Sequence, residues 1–94
     1  MAASTTSGVL YVHSAPRVLC QHVEWGLGSV IDAPAHLEWD PQPVIPGTVR
    51  GEYAWSGAPG TGAAIASKLR GWEHLRFEVT EDASPGIDGG RWMI

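Results

Sequence analysis

The sequence predicts an α+β domain of the ferredoxin-like type, with the element order β-α-β-β-α-β. Four short stretches are either continuously apolar or alternate between apolar and polar residues, as strands do. Two stretches between them carry apolar residues at helical spacing, and prolines and glycines separate the elements. We therefore expect two helices on one face of a four-stranded antiparallel sheet whose other face is open.

Length and charge restrict the classes of protein that fit. The chain has 94 residues, of which 44% are hydrophobic and 17% charged, and this suits one small core. We expect a flexible N-terminus over residues 1–7 and a single α+β domain over residues 8–94. The net charge of −4 makes nucleic acid a poor partner, because phosphate neutralisation needs clustered basic side chains.

Cysteine content and hydropathy indicate the compartment. Cys20 is the only cysteine of the sequence, so no internal disulfide can form and a reducing compartment fits best. Residues 1–7 lack the basic and apolar regions of a secretory signal. No apolar run is long enough to cross a membrane. We expect a cytoplasmic protein that does not contact a membrane.

The first half of the chain predicts a strand followed by a helix. Gly8–His13 is nearly continuously apolar, which is typical of a central strand. Ser14-Ala15-Pro16 is expected to open the helix, and Asp32-Ala33-Pro34 to end it. The apolar residues at helical spacing, expected to form its buried stripe, are Leu19, Val23, Gly26, Leu27 and Val30.

Two strands are predicted in the middle of the chain. His36–Trp39 is the first, with Leu37 and Trp39 on one face. A proline-rich connector follows, and Val49–Trp55 is the second strand. Its expected inward positions are Val49, Gly51, Tyr53 and Trp55.

The last third predicts a helix and a strand. The helix is expected over Ala63–Trp72, where Ile65, Leu69 and Trp72 share one face. His74–Thr80 then alternates as a strand. Its expected inward residues are Leu75, Phe77 and Val79, and its outward ones are His74, Arg76, Glu78 and Thr80. Arg91–Ile94 begins an element that the chain does not complete.

A glycine-rich turn over Gly57–Ala64 has the spacing of a phosphate-binding P-loop without its chemistry. Ala63 and Ala64 stand where the P-loop has the lysine and the hydroxyl residue that bind phosphates and magnesium. The simpler interpretation is a turn with Thr61 as the N-cap of the next helix. The alternative is a weak anion site on the backbone N–H groups, with Gly60, Thr61 and Gly62 as the ligand-binding candidates.

No residue pattern predicts catalysis or metal binding. Cys20, His22 and Glu24 stand at i, i+2 and i+4, which do not converge on one point of a helix. No histidine lies in a recognisable nucleophile-and-base context with Ser14 or Cys20. We therefore predict no catalytic residue, no metal site and no cofactor, and an enzyme is the less favoured class.

A binding surface is the better-supported hypothesis. Exposed tryptophans and arginines on a small domain often mark interaction sites. The surface is expected on the open sheet face, at the glycine turn or on both, and its candidates are Arg50, Trp55, His74 and Arg76. For Trp55, packing in the core is the default alternative.

Several long runs of the chain carry a resemblance to a known family. These runs are Gly8–Pro16, His22–Trp25, Trp39–Pro43, Leu69–Thr80, Ser84–Gly86 and Asp88–Arg91. They resemble the uncharacterised actinobacterial family called domain of unknown function 3145 (DUF3145). The resemblance implies a cytoplasmic actinobacterial protein, and it implies no particular activity.

The resemblance also suggests a biological setting. Members are often encoded beside enzymes of type II fatty-acid synthesis, which implies an acyl carrier protein or a synthesis enzyme as partner. Members continue past the segment that ends at Arg91, so the resemblance covers the N-terminal half of the family and implies a truncated chain. Three hypotheses follow: a non-enzymatic binding or regulatory module, a binder or weak enzyme for a phosphate- or acyl-thioester-bearing molecule at residues 57–64, and a non-functional fragment.

Overall fold

The computed structural model describes residues 5–94 and contains two α-helices and a five-stranded antiparallel sheet. A short 3-10 turn over Arg17–Leu19 precedes the first helix. The strands and helices are β1 (Thr6–Pro16), α1 (Cys20–Ile31), β2 (Asp40–Pro41), β3 (Thr48–Gly57), α2 (Thr61–Leu69), β4 (Arg76–Glu81) and β5 (Gly90–Met93). The strand order across the sheet is β2-β3-β1-β4-β5.

Strand β1 is the centre of the sheet and is longer than predicted. It pairs with β3 on one side and β4 on the other, so that Leu10 lies opposite both Tyr53 and Val79. The strand was expected to end at His13, but its pairing resumes after a register shift and continues to Pro16. Helix α1 therefore begins at Cys20, and Ser14-Ala15-Pro16 belongs to the strand.

The first strand includes two residues that were expected to belong to a flexible N-terminus. Residues 1–4 lie outside the described part of the chain. Thr6 and Ser7 belong to β1, and the Thr6 hydroxyl donates a hydrogen bond of 2.8 Å to the Asp82 carbonyl. The first strand therefore begins two residues before the predicted start at Gly8.

One core fills the space between the sheet and the two helices. Alternate positions of β1 and β4 contribute Leu10, Val12, Phe77 and Val79, all almost fully buried. The helices join the same cluster through Val23, Leu27, Ile65, Ala66 and Leu69. The predicted inward positions Leu75, Phe77 and Val79 are confirmed. Because both helices share this cluster, the opposite face of the sheet is left open.

The predicted strand over His36–Trp39 is wrong. The Leu37 amide donates to the Glu24 carboxylate of α1 at 2.8 Å, instead of to a neighbouring strand. The Trp39 indole N–H points to the same oxygen at 3.4 Å. Burial still alternates along this segment, but strand pairing is limited to the two residues of β2, where Asp40 lies opposite Arg50.

The sheet has five strands, not the predicted four. The last residues form β5, which pairs with β4 so that Trp92 lies opposite Val79. Helix α2 ends at Leu69, three residues before the predicted Trp72. His74 has a positive φ of 65° and lies in the turn before β4, so the strand begins at Arg76 and not at His74.

Candidate functional site

The open face of the sheet carries an aromatic and polar strip along its centre. Strand β1 presents Val9, Tyr11 and His13 at alternate positions, opposite in direction to the buried Leu10 and Val12. Tyr11 lies across from Glu52 of β3 on one side and Glu78 of β4 on the other. A tyrosine ring thus stands between two carboxylates on a surface that no helix covers.

A groove of about 660 Å³ lies beside this strip. The extended segment 36–42 supplies one side of it through its even-numbered residues. Over residues 35–40 these are the exposed positions, and the odd-numbered ones are turned toward the protein. The Gln42 amide donates to the His13 carbonyl at 2.6 Å and so holds the segment against β1. The polar and aromatic side chains that line the groove are Tyr11, His13, His36, Glu38, Asp40, Gln42, Arg50 and Glu52.

The groove carries more negative than positive charge. Three of its lining residues, Glu38, Asp40 and Glu52, are exposed carboxylates, and Arg50 is its one guanidinium. Within residues 5–94, both side-chain ion pairs belong to a different carboxylate, that of Glu78. Asp40 lies opposite Arg50 in the pairing of β2 with β3, but none of the three groove carboxylates is within ion-pair distance of a basic group in residues 5–94.

Glu78 lies next to the groove and is almost completely covered. Its side chain is only 8% exposed. It accepts a hydrogen bond from the Arg91 guanidinium of β5, and the Nε2 atom of His13 lies 3.5 Å from its other oxygen. The hydrogen bond from Arg91 holds the pKa of Glu78 below its ordinary value and raises the pKa of Arg91. Glu78 points to the open face, as predicted, but its neighbours bury it.

His13 and Tyr11 form a stacked pair of rings between the groove and Glu78. Their rings are parallel to within 3°, with centroids 6.2 Å apart. Both residues line the groove, and both also line the smaller depression around Glu78 and Arg91. This aromatic pair therefore borders both polar regions of the open face.

The glycine turn has the predicted position but a different cap. Gly60, with a φ of 98°, is the N-cap of α2, and Thr61 is the first helical residue. The predicted N-cap role of Thr61 is therefore wrong. Its hydroxyl instead donates to the Ala58 carbonyl at 2.6 Å, which closes the turn.

The backbone N–H groups of this turn already bind a carboxylate of the same chain. The Gly60 amide donates to Glu81 at 3.1 Å and the Gly62 amide at 2.9 Å. Glu81 is the last residue of β4 and is only 7% exposed. A positive helix N-terminus stabilises a negative group in this position. An external anion at Gly60, Thr61 and Gly62 would have to displace Glu81.

Sequence reasoning identified the turn but missed Glu81. The only available signal was an acidic residue at the end of the strand that follows the helix. Because β3 and β4 are both antiparallel to β1, they run parallel to each other, and the end of β4 lies near the end of β3, where α2 begins. The sequence does not show which oxygen meets which amide.

The predicted surface residues separate into two groups. Arg50 and Arg76 both occupy open-face positions, on β3 and β4 respectively, and both are exposed. His74 is exposed in the turn before β4. Trp55 is only 3% exposed and belongs to the core, so it is not available to a partner. The expectation that Trp55 marks a surface near the sheet edge has to be corrected accordingly.

The residues with ligand-like chemistry on α1 point to different neighbours. Glu24 bonds to the segment after the helix, and His22 packs edge-on against Trp25 and Trp72. Burial raises the pKa of the Cys20 thiol. Residues 5–94 contain no group of three or more His, Cys, Asp or Glu side chains placed to hold a metal ion. In the same range, no helix has the length and apolar character needed to cross a membrane.

Comparison with known proteins identifies the family. The family model described as "Protein of unknown function (DUF3145)" matches residues 9–94, so nearly the whole chain belongs to this family. Neither a curated protein nor a solved structure matches the chain.

Proposed function

We propose that this member of the DUF3145 family is a binding module that holds a protein partner in the groove on the open face of its sheet. The observation that carries the proposal is the contrast between the two faces. Two helices and a continuous apolar core cover one face. The other face presents a groove of about 660 Å³ with aromatic and charged side chains from two strands and an extended segment.

The proposed site includes part of the surface expected from the sequence. Arg50 lines the groove, and Arg76 lies on the same face of the sheet. Tyr11 and His13 supply a stacked pair of aromatic rings, and aromatic side chains are enriched where proteins bind each other. These side chains lie on strands, which fix their positions before a partner arrives.

We also infer that the architecture is ferredoxin-like with one strand added. Helix α1 connects β1 to β2 past the intervening β3, and α2 connects β3 to β4 past the intervening β1. Two such split β-α-β units characterise that fold, and β5 extends the sheet beyond β4. Nuclear Overhauser contacts from β1 to both β3 and β4 test the inference, and contacts from β1 to β2 would overturn it.

The glycine turn is the less favoured location for a ligand. A phosphate- or thioester-bearing molecule there would compete with Glu81, which is tethered to the same amides. Competition with an internal group weakens binding because the internal group is always present at the site. The groove on the open face carries no such occupant among residues 5–94.

The test compares protein capture by three forms of the chain. Wild-type protein, an Arg50→Glu variant and an Arg70→Glu variant are immobilised and exposed to native lysate of the source cells. Arg50 lines the groove, whereas Arg70 is an exposed residue at the end of α2. The two variants carry the same net charge, so they differ only in where the charge changes.

We expect a protein that is captured by wild type and by the Arg70→Glu variant, with a clear loss or gain at the Arg50→Glu variant. Unfolding curves of the three forms must agree, so that a folding defect cannot explain the difference. Capture that is equal for all three forms, or no specific capture at all, would refute the proposal that the groove is the binding site.

A further inference from the structure

We infer that the groove binds an extended protein segment with arginine or lysine side chains at alternate positions. This inference rests on the proposed function and names the chemistry of the partner. It follows from three properties of the groove: the sign of its charge, its exposed aromatic surface and the spacing of its carboxylates.

The charge of the groove selects a cationic occupant. Three carboxylates line it, together with one guanidinium and two imidazoles: these are Glu38, Asp40 and Glu52, with Arg50, His13 and His36. Arg50 lies opposite Asp40, so Glu38 and Glu52 are the carboxylates without a cross-strand basic neighbour in residues 5–94. The three carboxylates take part in no ion pair with other groups in residues 5–94. Electrostatic complementarity steers association and suppresses partners of like charge. An acidic partner such as an acyl carrier protein is therefore disfavoured at this site.

The aromatic surface indicates a charged side chain and not a bare ion. Tyr11 stands directly across from Glu52 in the β1–β3 ladder, and its ring is parallel to that of His13. A guanidinium or ammonium group over an aromatic ring gains a cation–π interaction. Arginine suits the site best, because its planar group can stack on a ring and bind a carboxylate at the same time.

The spacing of the carboxylates indicates an extended segment. Glu38 and Asp40 are two residues apart on the extended segment 36–42, and both face the groove. Alternate residues of an extended chain are about 7 Å apart, at about 3.3 Å per residue. A partner in the same conformation repeats its side chains at the same distance, so basic residues at i and i+2 can meet successive carboxylates.

The experiment uses defined peptides and the whole chain. A fluorescent peptide of alternating arginine and glycine is titrated with the protein, and binding is followed by anisotropy at low and at moderate salt. An alternating glutamate–glycine peptide and a peptide with the same arginines spaced three residues apart serve as comparisons. We expect the alternating arginine peptide to bind most tightly, with an affinity that falls as salt rises.

Two triple variants distinguish an effect of the groove carboxylates on peptide binding from an effect of net charge alone. Glu38→Gln, Asp40→Asn and Glu52→Gln together remove the groove carboxylates. The control combination, Asp32→Asn, Glu73→Gln and Asp88→Asn, removes three exposed carboxylates elsewhere. We expect the groove variant to bind about tenfold more weakly, and the control variant to change by less than about twofold. Unfolding curves establish that both variants are folded.

Each other result overturns the inference. Equal weakening by the two triple variants would mean that the peptide responds only to net charge. Tighter binding of the glutamate peptide, or no saturable binding of the arginine peptide, would mean that the occupant is not basic. Equal binding of both arginine spacings would contradict an extended segment. The capture experiment with the Arg50→Glu variant is independent of these peptides, so the binding-module proposal can survive a failure here.

Discussion

Glu78 and Glu81 lie three residues apart on β4, are both buried and point to opposite faces of the sheet. Glu81, on the helix side, is held by backbone amides of Gly60 and Gly62. Glu78, on the open side, is held by the side chains of Arg91 and His13. The two carboxylates obtain partners from different sources, and this determines how each responds to mutation.

The difference shows which carboxylate depends on the backbone of the domain and which depends on side chains that substitution can change. Backbone amides at a helix N-terminus are kept by every substitution except proline, so the partners of Glu81 belong to the fold itself. Side-chain partners can be changed without disturbing the chain path. The open face is therefore the side on which charge and binding chemistry can vary while the core stays the same.

The largest expected effect comes from removing the amide-held carboxylate. Glu81→Ala leaves two buried or partly buried amides without an acceptor and removes a negative charge from the N-terminus of α2. We expect the free energy of unfolding to fall by about 2 kcal/mol, measured by chemical denaturation. Glu81→Gln, which keeps an acceptor oxygen, should lose less.

The matching change on the open face sharpens the comparison. Glu78→Ala leaves Arg91 with a side chain that is 65% exposed and can turn to solvent. The loss of stability should therefore be smaller than for Glu81→Ala. An equal loss in the free energy of unfolding for the two alanine variants would show that the two carboxylates contribute equally to the stability of the folded state.

A second change tests how closely the turn fits Glu81. A Cβ atom at Gly62 would lie 2.7 Å from the Trp92 ring and 3.1 Å from the Glu81 side chain. Alanine gains about 1 kcal/mol in helix propensity, but overpacking costs about 1–3 kcal/mol. We expect a net loss of about 1 kcal/mol in the free energy of unfolding for Gly62→Ala.

Gly71→Ala is the control for this change, because a Cβ atom there meets nothing within 4 Å. Its unfolding midpoint should stay close to that of wild type. A Gly62→Ala variant that is more stable than wild type would mean that Trp92 and Glu81 move aside without cost.

A smaller and more local effect is expected from Arg91→Gln. The hydrogen bond from Arg91 is the main cause of the low pKa of Glu78, so this variant should bring that pKa back toward its ordinary value. Titration of the Glu78 carboxyl carbon by NMR measures the shift. An unchanged Glu78 titration in the variant would contradict the role assigned to Arg91.

The pH dependence of stability gives the smallest effect, and its sign is fixed. The pKa of Glu78 is lower in the folded state, so its stabilising contribution is present above the unfolded value and is lost as pH falls through the folded value. From neutral pH to below about 4, the usual range of carboxyl groups, wild type should lose more stability than Arg91→Gln. Parallel curves for the two proteins would contradict this assignment.

The sequence predicted those parts of the fold that depend on local pattern. Alternation along β4 identified Leu75, Phe77 and Val79 as inward residues, and helical spacing identified Val23 and Leu27. The elements that were predicted incorrectly depend on contacts with residues distant in the sequence. The strand expected over His36–Trp39 is prevented by Glu24 of the preceding helix, and no local pattern contains that contact.

Only part of the candidate site could be predicted from the sequence, because the rest depends on contacts between residues that are distant in the chain. An outward position was predicted for Glu78, but its burial depends on Arg91 from β5, a strand that was not recognised. Trp55 was taken as a surface residue, although its alternating position on β3 already placed it among the inward residues. The groove itself is formed by residues 11–13, 36–42 and 50–52, whose proximity only the sheet order reveals.

The central position of β1 has a consequence for synthesis of the protein. β1 is translated first, yet its two neighbours, β3 and β4, come much later in the chain. At about 5–20 residues per second, Leu10 and Val12 remain without their β4 partners for several seconds on the ribosome. Sheet formation thus requires contacts between residues far apart in sequence, which slows folding. The nascent chain exposes its most apolar strand throughout that interval, and so this strand is where a ribosome-associated chaperone would act.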